Sequence, residues 1–220
     1  MFRAGYIIAL SLTLILKASS QVSVVIERNT GASGSPQFKF NNVPAPSKNN
    51  AAASARSKLV LGQRDAASGG LSALTDGALP ADEDQPAGNF FFNAGSYGGR
   101  LLFDFGAIIE ITQVNTYSWH SSTRGPQLYN LFASDGSDPK FNPEPDGRTD
   151  PAACGWKLVA TVDTRPKQGE PGGQYGVSIV DSNGGALGRF RYVLFDAVPT
   201  ETDDPWGNTF FSEIVVSSMK

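Results

Sequence analysis

Thiols, imidazoles and clustered charge are scarce in this chain, and each scarcity removes a class of chemistry. There is one cysteine, Cys154, so no intramolecular disulfide can form. There is one histidine, His120, far from Cys154 in sequence, which leaves a Cys–His dyad without support. No ligand spacing fits zinc, no Gly-x-Ser-x-Gly elbow marks a hydrolase nucleophile, and no EF-hand loop is written. Lysine and arginine are unclustered and the net charge is −3, so the basic tract that phosphate binding wants is missing and nucleic acid is not an expected partner. Beyond the N-terminus no stretch is apolar enough to span a bilayer. No long segment keeps a helical period.

What is present points to export and to β structure. Arg3 opens a segment whose residues 6–16 are apolar and which Lys17 closes. Ala18 and Ser20 then stand as small residues before a cut at Gln21, so 1–20 reads as a secretory signal peptide, too short for a comfortable membrane helix. The expected mature protein is secreted (extracellular, cell-surface or periplasmic) and soluble. It is long enough for one domain whose core needs no disulfide. Cys154, just before Gly155-Trp156, reads as a small packing residue.

Short β-rich runs separated by turn clusters give the pattern of an all-β sandwich or jelly roll. Val22, Val24, Val25 and Ile26 place a first strand in 21–28, Phe38-Lys39-Phe40 alternates as a short strand, and 43–47 is an extended connector through Pro44 and Pro46. Segment 49–64 admits a short helix from Ala51-Ala52-Ala53 or a strand from Lys58-Leu59-Val60-Leu61. Phe90-Phe91-Phe92 is apolar on successive residues and is expected to be covered on both faces. Further strands are expected at 100–105, 109–117, 128–132, 156–162 (Leu158, Ala160 and Val162 on one face), 175–180, 190–198 and 210–217. The Asp-, Pro- and Gly-rich stretch 135–153 reads as an exposed insertion, mobile and dispensable for folding.

Between two of these strands, 118–127 forms a polar loop that carries His120 beside Trp119 and four residues before Arg124. A concave site needs little beyond an aromatic face and a few directed polar groups, so this loop is the first candidate. Plainer roles compete: Trp119 shares a strand face with Tyr117 and fits a core, and Arg124 can pair with an acidic loop residue. Asp82-Glu83-Asp84 reads as solvated loop able to add a calcium ligand.

The order Leu74-Thr75-Asp76-Gly77, Leu102-Phe103-Asp104-Phe105-Gly106, Tyr117-Ser118-Trp119, Trp156-Lys157-Leu158-Val159-Ala160, Phe190-Arg191-Tyr192-Val193-Leu194-Phe195 and Phe211-Ser212-Glu213-Ile214-Val215-Val216 resembles the galactose-binding-like superfamily. That group takes in discoidin domains, coagulation-factor C-type domains and bacterial carbohydrate-binding modules. The resemblance implies an antiparallel jelly-roll β-sandwich over 46–220, preceded by an extension, 21–45, that adds a strand or pairs with another copy. The family's usual terminal cysteine pair is absent, and the insertion at 135–153 is longer than usual.

The resemblance further implies a structural calcium ion (Ca2+) on Asp76 and Glu213, with backbone carbonyls of Ala73, Ala78 and Ser212. It implies a carbohydrate site on His120, Arg124, Trp206 and Asn208, where an aromatic ring covers the apolar face of a sugar and the polar groups meet its hydroxyls. The expectation is therefore a secreted, non-catalytic module that recognises carbohydrate or glycoconjugates. Its rivals are an adhesive domain for an extracellular protein partner, and a polysaccharide hydrolase or lyase on a jelly-roll scaffold.

Overall fold

The computed structural model describes residues 21–30, 34–167, 172–200 and 209–219. The expected signal peptide lies outside them. Among the described residues eight strands carry the fold: β1 (Val22–Thr30), β2 (Arg56–Leu61), β3 (Gly99–His120), β4 (Leu128–Ser134), β5 (Lys157–Asp163), β6 (Gly173–Asp181), β7 (Gly188–Ala197) and β8 (Glu213–Ser218). Every pairing among them is antiparallel.

The two strands expected at 100–105 and 109–117 are one 22-residue strand, β3. Gly106, at φ +77°, and the Asp104 side chain that accepts from its N–H make a bend inside β3 rather than an end. β3 changes partners at Ile111, which is opposite both Gly188 of β7 and Ser218 of β8. Before that point β3 lies between β2 and β7; after it, between β6 and β8. The result is a sandwich of two layers, β2-β3-β7-β4-β5 and β1-β6-β3-β8, joined through β3. Leu101, Phe103, Val193 and Phe195 of the first layer and Val177, Ile179, Ile214 and Val216 of the second meet in one core. Each such side chain contributes about 1.5–3 kcal/mol by leaving water.

Both readings of 49–64 are realised in series. Asn50 caps a one-turn helix, α1 (Ala51–Ser54), through the N–H groups of Ala52 and Ala53, and β2 follows. Phe90, Phe91 and Phe92 are all buried, as expected; Phe90 and Phe92 enter the core and Phe91 stacks on Phe210. Leu158 does not share a face with Ala160 and Val162. A register shift against β4 between Leu131 and Phe132 turns Leu158 outward, 47% exposed, and puts Val159 in the core.

The extension 21–45 adds a strand: β1 pairs with β6 along its whole length. Phe38-Lys39-Phe40 forms none, because its rings are used in packing. Phe40 touches Phe38 and Tyr117 and covers Gly176, where any Cβ would come within 3.0 Å of the ring. Val43, Tyr117 and Val215 complete a small apolar cluster on the outer face of the second layer, and the Tyr117 hydroxyl donates to the Pro44 carbonyl.

The segment 135–153 is exposed along most of its length, as expected, yet its inner side is packed. It covers the outer face of the first layer, where Phe141 packs on Trp156 and Tyr192 beside buried Leu102, Phe132, Cys154 and Leu194. Trp156 Nε1 donates to the Asn142 carbonyl at 2.8 Å. Arg100 fastens the segment from below. Its guanidinium, 7% exposed, donates to both Asp196 oxygens, and Nη1 lies 2.7–3.1 Å from the carbonyls of Pro145, Asp146 and Thr149. The polar composition of 135–153 serves these carbonyl contacts and a series of Asp and Asn side-chain turns. Cys154 is buried in this cluster, and burial pushes its thiol pKa up, which suits a packing role.

Arg100→Met is expected to cost about 3–5 kcal/mol in urea unfolding, because Asp196 and three carbonyls lose a buried donor. Arg100→Lys should recover only part of this, since an ammonium cannot reproduce the planar fork. Wild-type stability in Arg100→Met would show that 135–153 holds its place without the clamp.

Candidate functional site

β3 ends in the second layer and β4 begins in the first, so the loop 121–127 closes one end of the sandwich. Its base is fixed in the interior. Thr116 Oγ1 donates to Gln127 Oε1 at 2.5 Å and lies 2.9 Å from the Tyr129 hydroxyl. The Gln127 N–H donates to Thr164 Oγ1, and the Thr164 N–H returns a bond to the Gln127 carbonyl. Thr200 Oγ1 donates to the Thr123 carbonyl at 2.9 Å, and the Gly125 N–H to that of Ser122. A polar loop with these ties presents its side chains from a set frame.

His120 is 6% exposed. Its Nδ1 accepts the Ser122 N–H at 3.0 Å, and the Ser122 hydroxyl lies at the same distance. The ring meets Phe210 edge-on, with centroids 5.2 Å apart. Burial lowers its pKa, the Arg124 charge lowers it further, and Asp84 opposes both. The imidazole is therefore neutral at pH 7, and with Nδ1 accepting, Nε2 carries the proton. Nε2 stands 4.0 Å from Asp84 Oδ1, beyond hydrogen-bond range. The Asp84 side chain is 73% exposed. Arg124 is half-buried, and its Nε is buried without a hydrogen-bond partner among the described residues.

Two expected members, His120 and Arg124, thus come together at this end of the sandwich. Asp84 joins them from a run read as solvated loop able to add a calcium ligand; nothing in its local sequence marks the approach to His120, which arises only in the folded chain. Trp206 and Asn208 lie outside the described residues. Trp119 takes the plainer of its two roles: it is 5% exposed on the outer face with Tyr117, and Gly34 packs on its indole.

Below this end sits a second polar feature. Glu213 opens β8 opposite Tyr117 and is fully buried. Oε1 accepts the Gly77 N–H at 3.1 Å, while Oε2 is buried with no partner among the described residues. Burial pushes its pKa up to about 8, and the nearby Asp76 carboxylate adds to the rise. Asp76 is exposed and caps its own turn through the Ala78 N–H at 2.8 Å. Ser212 donates through its hydroxyl to Asn89 Oδ1 and through its N–H to the Tyr117 carbonyl. A buried carboxylate with one oxygen unbonded, beside a second carboxylate, is a donor set that suits a hard cation. Among the described residues no three His, Cys, Asp or Glu side chains gather, so any further ligands would be backbone oxygens or water.

No protein-family model matches the chain, and no curated protein matches it in sequence. Among solved structures it is similar to CpGH89CBM32-6, produced by Clostridium perfringens, at 12% identity and TM-score 0.47, covering 78% of this chain and 100% of that one. It is similar to a Streptococcus pneumoniae fucose binding module, SpX-3, at 12% identity and TM-score 0.46, covering 78% and 99%. It is similar to chitosan-binding module 1 of a chitosanase/glucanase from Paenibacillus sp. IK-5 at 16% identity and TM-score 0.46, covering 76% and 98%. Identities and superpositions this low transfer neither a ligand nor a residue role.

The raised pKa of Glu213 fixes a sign. Between its ordinary 4.5 and about 8, the native protein holds a proton that the unfolded chain has released. Stability from this group is greatest below that window and falls as pH rises through it. In chelator, the melting temperature should therefore decline from about pH 5 to pH 8, and Glu213→Gln should flatten the decline. An unchanged slope in the variant would assign the titration to another group.

Proposed function

We propose that this protein is an exported, non-catalytic module that binds carbohydrate at the loop end formed by 121–127. The observation that supports this most is the pairing of His120 and Arg124 in a fixed frame: a neutral imidazole whose Nε2–H has no acceptor within hydrogen-bond range among the described residues, beside a guanidinium whose Nε has no partner among them. Directed donors of this kind suit the hydroxyl and ring oxygens of a sugar. Trp206 would supply the stacking face and Asn208 a further amide. Proteins with such sites discriminate by leaving buried donors unpaired when the wrong ligand enters.

A calcium ion is the second part of the proposal. Glu213 and Asp76 would hold it with carbonyls of Ala73, Ala78 and Ser212; when bound, it would supply charge that keeps Glu213 ionised in the interior. The Asp76-Gly77 turn leads through buried Pro80 to Asp84, so fastening that turn would also steady one side of the His120 site. Its role is structural.

Arg124→Ala should weaken binding to galactose- or fucose-terminated glycans by about 1–3 kcal/mol with little change in melting. His120→Ala should weaken it as much and also lower the melting temperature, because it opens space against Phe210 and unpairs the Ser122 N–H. Calorimetry beside thermal melts reads both; wild-type affinity in Arg124→Ala would move the site elsewhere.

Calcium should raise the melting temperature relative to chelator, by the equivalent of about 2.7 kcal/mol at a hundred times the dissociation constant. The gain should be larger at pH 8 than at pH 5, since the ion competes with a proton on Glu213. Equal melting in both media, with no metal found by elemental analysis, would reject it.

A further inference from the structure

Among the large apolar side chains of the described residues that remain exposed, Tyr97 stands apart at 96%; the next, Met219, is at 53%. The tyrosine sits at the tip of a short turn between Gly95 and Gly98, both at positive φ. The turn is tied down. Ser96 donates to the Asn93 carbonyl through both its N–H and its hydroxyl, and the Asn93 N–H donates to the Gln63 carbonyl at 2.8 Å. Gly98 lets the chain pass against β7, where a Cβ would fall 2.0 Å from the Ala197 carbonyl oxygen. The ring is therefore held clear of the body by a fastened turn.

Its position matters more than its exposure. Gly99, Ala197 and Tyr129 are register partners in one row across β3, β7 and β4. Tyr97 leaves that row at one side and the loop 121–127 enters it at the other. Two strand spacings, about 10 Å, separate Gly99 from Tyr129 in that row. Val198, 41% exposed, follows Ala197 between them, and Thr200 then bonds to Thr123, next to Arg124. Tyr97 and the His120–Arg124 pair are thus on one continuous rim.

We infer that Tyr97 is a second stacking platform, which takes a sugar ring further along the same glycan, so that the ligand is an oligosaccharide and not a single terminal residue. This rests on the carbohydrate reading of the loop end. An aromatic ring offers a pyranose an apolar face and costs little ordering entropy when its turn is already fixed. The phenol hydroxyl remains free to bond a neighbouring sugar oxygen.

The test is calorimetry with methyl galactoside and methyl fucoside, and with tetrasaccharides ending in each. Tyr97→Ala should weaken the tetrasaccharides roughly 5- to 30-fold and leave the monosaccharides within about two-fold. Tyr97→Phe should keep most of the tetrasaccharide affinity, and the melting temperature should not move in either variant. Tetrasaccharide binding that survives Tyr97→Ala overturns this inference alone. An equal loss for monosaccharides also overturns it, by placing the ring in the primary site. Wild-type protein that binds none of the four sugars overturns the carbohydrate reading and this inference with it.

Discussion

The hand-over of β3 from one layer to the other is the constraint from which the architecture follows. Ile111 pairs on one side with the first layer and on the other with the second, so a single strand sets the register of β2, β6, β7 and β8 together. Because β3 finishes in one layer and β4 starts in the other, the seven residues between them must bridge the open end. His120 and Arg124 are brought to that end by this crossing. Below them, Thr116, Gln127 and Tyr129 link the layers through the interior and hold the bridge at a fixed height.

Two buried ionisable groups are handled in opposite ways. Arg100 has its guanidinium matched by a carboxylate and three carbonyls, so its burial holds a structure together. Glu213 has one oxygen bonded and one bare. The first arrangement is complete without further partners; the second is the kind that responds to protons or cations.

The strands were legible because alternating β-branched and aromatic runs encode half-buried or fully buried strands directly, as in 21–28 and 175–180. Errors arose where a residue's role depends on something distant. The polar, proline-rich text of 135–153 looks like free loop, yet its backbone carbonyls are the partners of Arg100, which is 45 or more positions earlier. Phe38 and Phe40 alternate like a strand, but Phe40 packs on Tyr117 and Gly176 and Phe38 packs on Phe40. Leu158 follows strand alternation until a bulge, which composition does not announce, reverses its face. At the candidate site, the chemistry of His120 and Arg124 was readable from residue type and spacing. The approach of Asp84 was not, since it depends on how two loops fold over the same end.

The pairings of β1 with β6 and of β8 with β3 also decide how the domain would face its surroundings. Val22 is opposite Asp181, and Ser218 is opposite Ile111, whereas His120 is opposite Gly173 at the other end of β6. Both ends of the described chain therefore emerge at the pole away from the loops, with nine strand residues of β6, about 30 Å, in between. Anything joined to either end, whether a tag, a solid support or a neighbouring domain, would hold the loop end pointing outward. A protein tethered at either end should leave the loop end open to solvent, while coupling through Lys167, three residues past the Thr164–Gln127 bond, would crowd it.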